Sequence, residues 1–314
     1  MEQLITRDLS VGYHQTPILK GLNVSLMKGE LVCLMGPNGC GKSTLLHTLS
    51  GLLKPISGEI ELSSKGPREK TVAVVLTEKS FHPDLTGWEM VTMGRYPHLD
   101  WMMKLQADDL SKIEQAIEQT GIAHLKDKRN QNMSDGQRQM VMVARALAQD
   151  TPILLLDEPT SHLDLNNRVE IMNLLRSLAH DQEKSILIAT HELDLALQTA
   201  DRVWLADGSG RLKTGVPEDL VLDGSLDEVF QLKGFTLKTG KVDHKLQSGK
   251  SVGLTGEGYA FLWTKNAVER TGIEVRHDSE IQISIEESNG KILWKTGSTT
   301  VHSIADLVAW LRKI

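Results

Sequence analysis

The chain has 314 residues, enough for one large domain or two smaller ones around a sizeable core. Apolar residues make up 40% and charged residues 24%, the balance of a globular protein, and a net charge of −6 removes any general electrostatic case for binding nucleic acid. No apolar run approaches the roughly 20 residues of a membrane helix, and the start Met1-Glu2-Gln3-Leu4-Ile5-Thr6 has neither the basic nor the apolar region of a signal peptide.

The first decisive segment is Leu31-Val32-Cys33-Leu34-Met35, an apolar run that reads as a buried strand. It leads into Gly36-Pro37-Asn38-Gly39-Cys40-Gly41-Lys42-Ser43-Thr44, a match to G-x-x-x-x-G-K-[ST], and Leu45, Leu46 and Leu49 then open a helical pattern. Glycines let such a loop curl so that several N–H groups face one anion, and the helix adds its positive end. Lys42 is placed to reach the β- and γ-phosphates of a nucleotide, and Ser43 to offer a hydroxyl to Mg²⁺. Two cysteines make no disulfide framework; Cys33 and Cys40 read as reduced cytosolic thiols, Cys40 as a small loop residue rather than a nucleophile.

A second strand pattern, Thr71 to Val75, is followed by Leu76-Thr77-Glu78-Lys79. Helical patterns then dominate, for example Leu110 to Ile117, with Met93-Gly94-Arg95-Tyr96-Pro97-His98 among them. Next comes Met133-Ser134-Asp135-Gly136-Gln137, opening a stretch of high helix propensity, Met140 to Ala148. Ser134 is well placed as the N-cap, and Gly136 leaves room for a close backbone approach, so this helix start is a second anion site.

Two further apolar runs follow. Pro152 to Leu156 ends in Asp157-Glu158, and Ser185 to Thr190 ends in His191-Glu192. Continuous rather than alternating apolarity predicts strands buried on both faces, as in a parallel sheet covered by helices. Each delivers polar chemistry at its carboxyl end, where open α/β sheets bind ligands. Asp157 suits Mg²⁺ coordination through water, Glu158 the polarisation of an attacking water, and His191 a hydrogen bond to the phosphate being cleaved.

These elements, in this order, resemble the nucleotide-binding subunit of an ATP-binding cassette (ABC) transporter over about residues 2–220. The resemblance implies a P-loop α/β cassette with a mainly parallel sheet and a helical subdomain at about 79–145. It makes Gly36 to Thr44 the Walker A loop, Met133 to Gln137 the signature, and Ile153 to Glu158 Walker B with its catalytic glutamate. Ser161-His162-Leu163-Asp164 becomes the D-loop and His191 the switch histidine, while Tyr13 takes the position that stacks on adenine. ATP and Mg²⁺ are the implied ligands. A second copy, arranged head to tail, is the implied partner, with each signature completing the site of the other copy.

Two positions depart from the family pattern. Asp135 stands where a glycine is usual, placing a carboxylate at a phosphate-binding helix end. The usual loop glutamine is replaced at Thr77, leaving Thr77 or Glu78 to contact Mg²⁺ or its water.

The string Met93 to His98 is similar to one in importers of ferric siderophores, haem and cobalamin. This implies permease subunits, an indirect link to a substrate-binding protein, and a peripheral position on the cytoplasmic face of a bacterial inner membrane. The alternatives are another ABC importer, an exporter subunit, or a soluble ABC ATPase. A single Walker A, with Lys42 only 115 residues before Asp157 and no sustained heptads between, argues against the last.

Residues 221–314 form an expected small α+β extension of unassigned role. Its signals are strand runs Ile281–Ile285 and Lys291–Trp294 about an Asn289-Gly290 turn, and helical patterns Ala260–Arg270 and Ser303–Arg312. Ile304, Leu307, Val308 and Leu311 form a stripe that reads as core. His244, His277 and His302 are too scattered to suggest a metal site.

Overall fold

A computed structural model of the chain describes residues 1–76, 82–161, 163–231, 235–237, 241–242, 250–288, 291–297 and 299–313. Thr77, Glu78, His162, His244 and the Asn289-Gly290 turn lie outside the described residues. The chain forms two compact units, 1–231 and 232–314.

The first unit opens with an antiparallel sheet that sequence reading did not identify. Strand β1 (Glu2–Tyr13) pairs with β2 (Thr16–Leu22), β3 (Ser25–Met27) and, after the segment described next, β5 (Ser57–Leu62). Between them run β4 (Leu31–Met35) and α1 (Lys42–Ser50). Every residue of β4 is buried, as its unbroken apolarity requires. Leu45, Leu46 and Leu49 are fully buried on α1, each worth roughly 2 kcal/mol relative to exposure. Gly51 ends that helix at φ +88°, its N–H returning to the Thr48 carbonyl at 3.1 Å.

Then follow β6 (Val72–Val75), α2 (Gly87–Thr92), a 3₁₀ turn over Met93–His98, α3 (Ala107–Gln119) and α4 (Asp135–Ala148). After them come β7 (Ile153–Asp157), α5 (Leu165–Gln182), β8 (Ser185–Ala189), α6 (Leu193–Thr199), β9 (Arg202–Ala206) and β10 (Leu212–Gly215). The second sheet has the order β10-β9-β4-β8-β7-β6, parallel throughout except for β10. Its core joins that of the first sheet, with Leu4, Leu26, Leu155, Leu187 and Trp204 in one buried cluster. Helices α2, α3 and α4 pack on one another, and α4 also meets β6.

Two short helices, α7 (Pro217–Leu222) and α8 (Ser225–Phe230), close the unit. They explain why the division falls at 231 rather than 220: α7 packs on α6, and α8 on α7 and β9.

The second unit begins with a two-stranded pair, β11 (Phe235–Thr236) and β12 (Lys241–Val242). It continues as β13 (Ser251–Thr255), α9 (Gly258–Arg270), β14 (Glu274–Val275), β15 (Gln282–Ser288), β16 (Lys291–Thr296), β17 (Thr299–Val301) and α10 (Ile304–Leu311). The sheet order is β14-β13-β15-β16-β17, with β13 parallel to both neighbours. Strands β15 and β16 and both helices follow the sequence pattern; β13 and β14 were not foreseen. Leu307 and Leu311 are buried in this unit's own core with Val252, Val268, Ile283 and Trp294. The Trp294 indole N–H donates to the Thr264 hydroxyl at 2.7 Å, which satisfies both buried groups.

Candidate functional site

The parallel register aligns the carboxyl ends of three strands. Leu34 on β4 and Asp157 on β7 both stand opposite Ala189 on β8. The loop after β4, the carboxylates after β7 and the histidine after β8 therefore share one sheet edge, as their strand-end positions predict.

The loop from Gly36 to Gly41 is built by positive φ. Gly36, Gly39 and Gly41 have φ of +150°, +80° and +101°. A Cβ on Gly36 would lie 2.5 Å from the Ala206 carbonyl oxygen and 2.8 Å from the Cys40 sulfur, so only glycine fits. On Gly41 it would lie 2.8 Å from Ile18, which places β2 beside the loop. Lys42 is mostly buried, and its Nζ donates to the Gly36 and Pro37 carbonyls at 2.9 and 3.2 Å. Ser43 is exposed on the first turn of α1, Thr44 is buried, and Asn38 and Gly39 are open to solvent. Cys40 is buried, and burial pushes its thiol above the ordinary range, although Lys42 opposes the shift. An elevated thiol disfavours the thiolate needed for nucleophilic chemistry.

Asp157 is buried at the end of β7. The next residue, Glu158, adopts φ +50°, unusual for a side-chain-bearing residue, and its N–H donates to the Ala189 carbonyl at 2.9 Å. That turn delivers its carboxylate to His191, with Glu158 Oε2 2.7 Å from His191 Nδ1. Glu192 lies on the other side of the ring, its Oε1 3.9 Å from His191 Nε2. Arg168, on the first turn of α5, donates to the Glu192 carboxylate at 2.9 Å and to the Leu163 carbonyl at 2.7 Å. Sequence reading gave Arg168 and Glu192 no role. The only available signal was the (i, i+4) spacing of Asp164 and Arg168 on a helix start.

The Ser134–Gln137 segment sits elsewhere, at the start of α4. Ser134 caps that helix as expected: its Oγ accepts the Gln137 N–H at 3.2 Å, while Gln137 Oε1 accepts the Ser134 N–H at 3.2 Å. Lys128 adds a 2.9 Å bond to the same Gln137 oxygen. Asp135 pairs with Arg138 at 2.5 Å, so the carboxylate at this helix end has a counter-charge. A Cβ on Gly136 would stand 3.1 Å from Asn167 Nδ2 and 3.5 Å from Leu163, which brings this helix start to the 163–167 turn. In that turn Asp164 caps α5, accepting the Asn167 N–H at 2.9 Å.

Tyr13 ends β1 opposite Thr16 and is 48% exposed, with His14 and Gln15 turning the chain at positive φ. Arg95 and His98 are tied inward: Arg95 bonds Asp109 and the Ala148 carbonyl, both at 2.9 Å, and His98 the Gln149 carbonyl at 2.8 Å. The Met93–His98 string is thus a clasp on the far end of α4.

A glycine-curled loop opening a helix at a parallel-sheet edge, with carboxylates and a histidine from neighbouring strands, defines a P-loop nucleotide triphosphatase. Residues 19–161 match the family described as ABC transporter, and residues 249–312 that described as the iron ABC transporter C-terminal domain. The chain is 35% identical over 239 residues to the achromobactin transport ATP-binding protein of Dickeya dadantii, covering 74% of this chain and 89% of that protein. Identity to the iron(3+)-hydroxamate import ATP-binding protein of Bacillus subtilis is also 35% over 239 residues, with 74% and 89% covered. Among solved structures, an inward-facing ABC transporter of the metal-chelate type aligns at TM-score 0.67 and 31% identity, covering 74% of this chain and 89% of that one. A dimeric cassette in a post-hydrolysis state with ADP and phosphate aligns at TM-score 0.60 and 25% identity, covering 68% and 98%. The chain belongs to the ABC transporter ATP-binding family and is an ATP-hydrolysing transport subunit. Among the described residues no helix is long and apolar enough to cross a membrane.

Proposed function

We propose that this chain powers uptake of an iron chelate (a ferric siderophore), haem or cobalamin. It would do so at the cytoplasmic face of a bacterial cell membrane, on a permease served by a substrate-binding protein. The observation that carries the reading is the union, in one chain, of the cassette with a C-terminal segment matching the iron transporter type. The names of relatives that transport achromobactin and iron(3+)-hydroxamate support it.

In this reading the phosphates of ATP lie in the Gly36–Thr44 loop. Lys42 exchanges its bonds to the Gly36 and Pro37 carbonyls for charge-assisted bonds to the β- and γ-phosphates. The exposed Ser43 hydroxyl and the Asp157 carboxylate are hard oxygen donors that fit Mg²⁺. When bound, that ion neutralises charge on the phosphate oxygens. Glu158 polarises the attacking water, and His191 holds Glu158 at rest and donates to the γ-phosphate as charge develops there. Tyr13 stacks on the adenine. Ser134, Gly136, Gln137 and Asp164 act on the nucleotide of a second copy in a head-to-tail dimer holding two ATP molecules. The Asp135–Arg138 pair removes the repulsion that a bare carboxylate would exert there.

The test is reconstitution with the permease and a loaded binding protein in proteoliposomes. The expected outcome is ATP hydrolysis stimulated by the loaded binding protein, with uptake of one of the three solutes. Uptake of a different solute while ferric siderophore, haem and cobalamin all fail would overturn the substrate class.

A further inference from the structure

We propose that Arg168 is a positioning residue for ATP hydrolysis: it holds Glu192 off His191 and ties the Leu163–Asp164 turn to the turn that carries His191. The proposal rests on the reading of Glu158 and His191 as the catalytic pair.

Two carboxylates face the imidazole, and a guanidinium from a third element engages one of them. Glu158 comes from the end of β7 and lies 2.7 Å from Nδ1. Glu192 comes from the turn after β8 and lies 3.9 Å from Nε2. Arg168 comes from α5 and lies 2.9 Å from the Glu192 carboxylate. Two carboxylates thus converge on one ring. Only one of them is bonded to it, and the other is engaged by a guanidinium. An unengaged Glu192 would compete with Glu158 for the imidazole and with phosphate for its second nitrogen. Arg168 removes that competition while its Nε holds the Leu163 carbonyl at 2.7 Å.

Exposed ion pairs between flexible side chains contribute little. Here the Arg168 and Glu192 side chains are only 33% and 17% exposed. The guanidinium also has a backbone acceptor in a second loop, and Glu192 is anchored through its own N–H to the Thr190 hydroxyl at 3.0 Å. The two loops are therefore joined at fixed points. The planar fork of arginine can serve both acceptors at once, which a lysine ammonium at the same position cannot reproduce. A displacement of the 163–164 turn would move Glu192, and with it the space left for His191.

The experiment is a double-substitution cycle in the purified full-length chain, reading kcat and KM for MgATP, with thermal melting to verify folding. Arg168→Gln should lower kcat about ten-fold with KM for ATP changed less than about two-fold, because chemistry and not nucleotide affinity is affected. Removing the competing carboxylate as well, in Arg168→Gln/Glu192→Gln, should return kcat to that of Glu192→Gln alone. A merely structural role would instead make the two losses multiply. Multiplying losses, an Arg168→Gln enzyme of undiminished kcat, or an effect confined to KM would overturn the proposal. Should Arg168→Gln not fold, Arg168→Lys is carried through the same cycle with the same criteria. Glu158→Gln and His191→Ala are measured alongside. If either keeps its turnover, the underlying reading of the catalytic pair falls; if both lose it and the cycle is additive, only the role of Arg168 falls.

Discussion

Glu158 carries local strain that the rest of the site explains. A non-glycine residue in the left-handed region costs on the order of 1–3 kcal/mol, and here the backbone bond to Ala189 and the side-chain bond to His191 hold it there. Tyr13 is the opposite case, lying outside the buried core. Its ring is half exposed beyond a tight hairpin, so shortening it removes no core contact. Tyr13→Ala should therefore leave the melting temperature unchanged. It should raise KM for ATP roughly ten-fold, the equivalent of one lost base–aromatic stack, with kcat little affected. Steady-state kinetics decide this, and an unchanged KM removes Tyr13 from the nucleotide site. The stack would be tolerant of any planar base, so discrimination between ATP and GTP should be weak as well.

Helix α4 is held at both ends by side chains that do different work. At its start the Ser134–Gln137 box satisfies orphan N–H groups; at its end the orphan carbonyls of Ala148 and Gln149 are taken by Arg95 and His98. Gly94 is required at that clasp, since a Cβ there would lie 2.1 Å from the Arg145 carbonyl oxygen. Arg95 is in turn paired with the buried Asp109. Burial works to raise the Asp109 carboxyl, but the Gln106 N–H and the Arg95 guanidinium outweigh it and hold the group below the ordinary range. A carboxylate depressed in the folded state stabilises at neutral pH. That contribution is lost as pH falls below the unfolded value of about 4 and on through the folded one. Asp109→Asn removes the nearest counter-charge of a buried guanidinium, which keeps the Ala148 carbonyl and, at 3.9 Å, Asp108. It should therefore destabilise by about 2 kcal/mol at pH 7, and the gap to the parent should narrow as pH falls below about 4. Thermal unfolding followed from pH 7 to 3 measures the gap, and a pH-independent gap would exclude Asp109 as its source. Four of the five parallel strands, β4, β6, β7 and β8, were legible in the sequence because their runs are almost continuously apolar, as burial on both faces requires; β9, which opens on Arg202, was not foreseen. The clasp was not: Arg95 meets partners 14 and 53 residues away, and no local pattern encodes such pairings. Strand β13 was missed for a related reason, being short and interrupted by Gly253, with parallel neighbours that no hairpin turn announces. Asp135 illustrates the same limit, since its helix-end charge was visible and its pairing with Arg138 was not.

At the scale of the molecule, the first unit divides its chemistry between two regions. The phosphate loop, Glu158 and His191 stand at the parallel-sheet edge, whereas Ser134 and Gln137 stand at the start of a helix in the layer formed by α2, α3 and α4. In the proposed dimer each region meets its complement on the other copy, so ATP acts as a ligand shared between protomers and association becomes linked to nucleotide occupancy. In that dimer hydrolysis would remove the shared ligand and so release the copies. Glu158→Gln should keep ATP affinity, slow turnover at least a hundred-fold and so accumulate the dimer. Size-exclusion chromatography with light scattering in MgATP should then show twice the chain mass, and the same protein without nucleotide should run as a monomer. Adding Ser134→Arg to Glu158→Gln should return the MgATP sample to monomer, because in the proposed dimer the new side chain would occupy the space of the γ-phosphate bound to the other copy. Loss of the cap costs only about 1 kcal/mol, so the fold should survive the change. A Glu158→Gln protein that binds ATP yet stays monomeric at high concentration would show that the signature and the phosphate loop do not share a nucleotide across two copies.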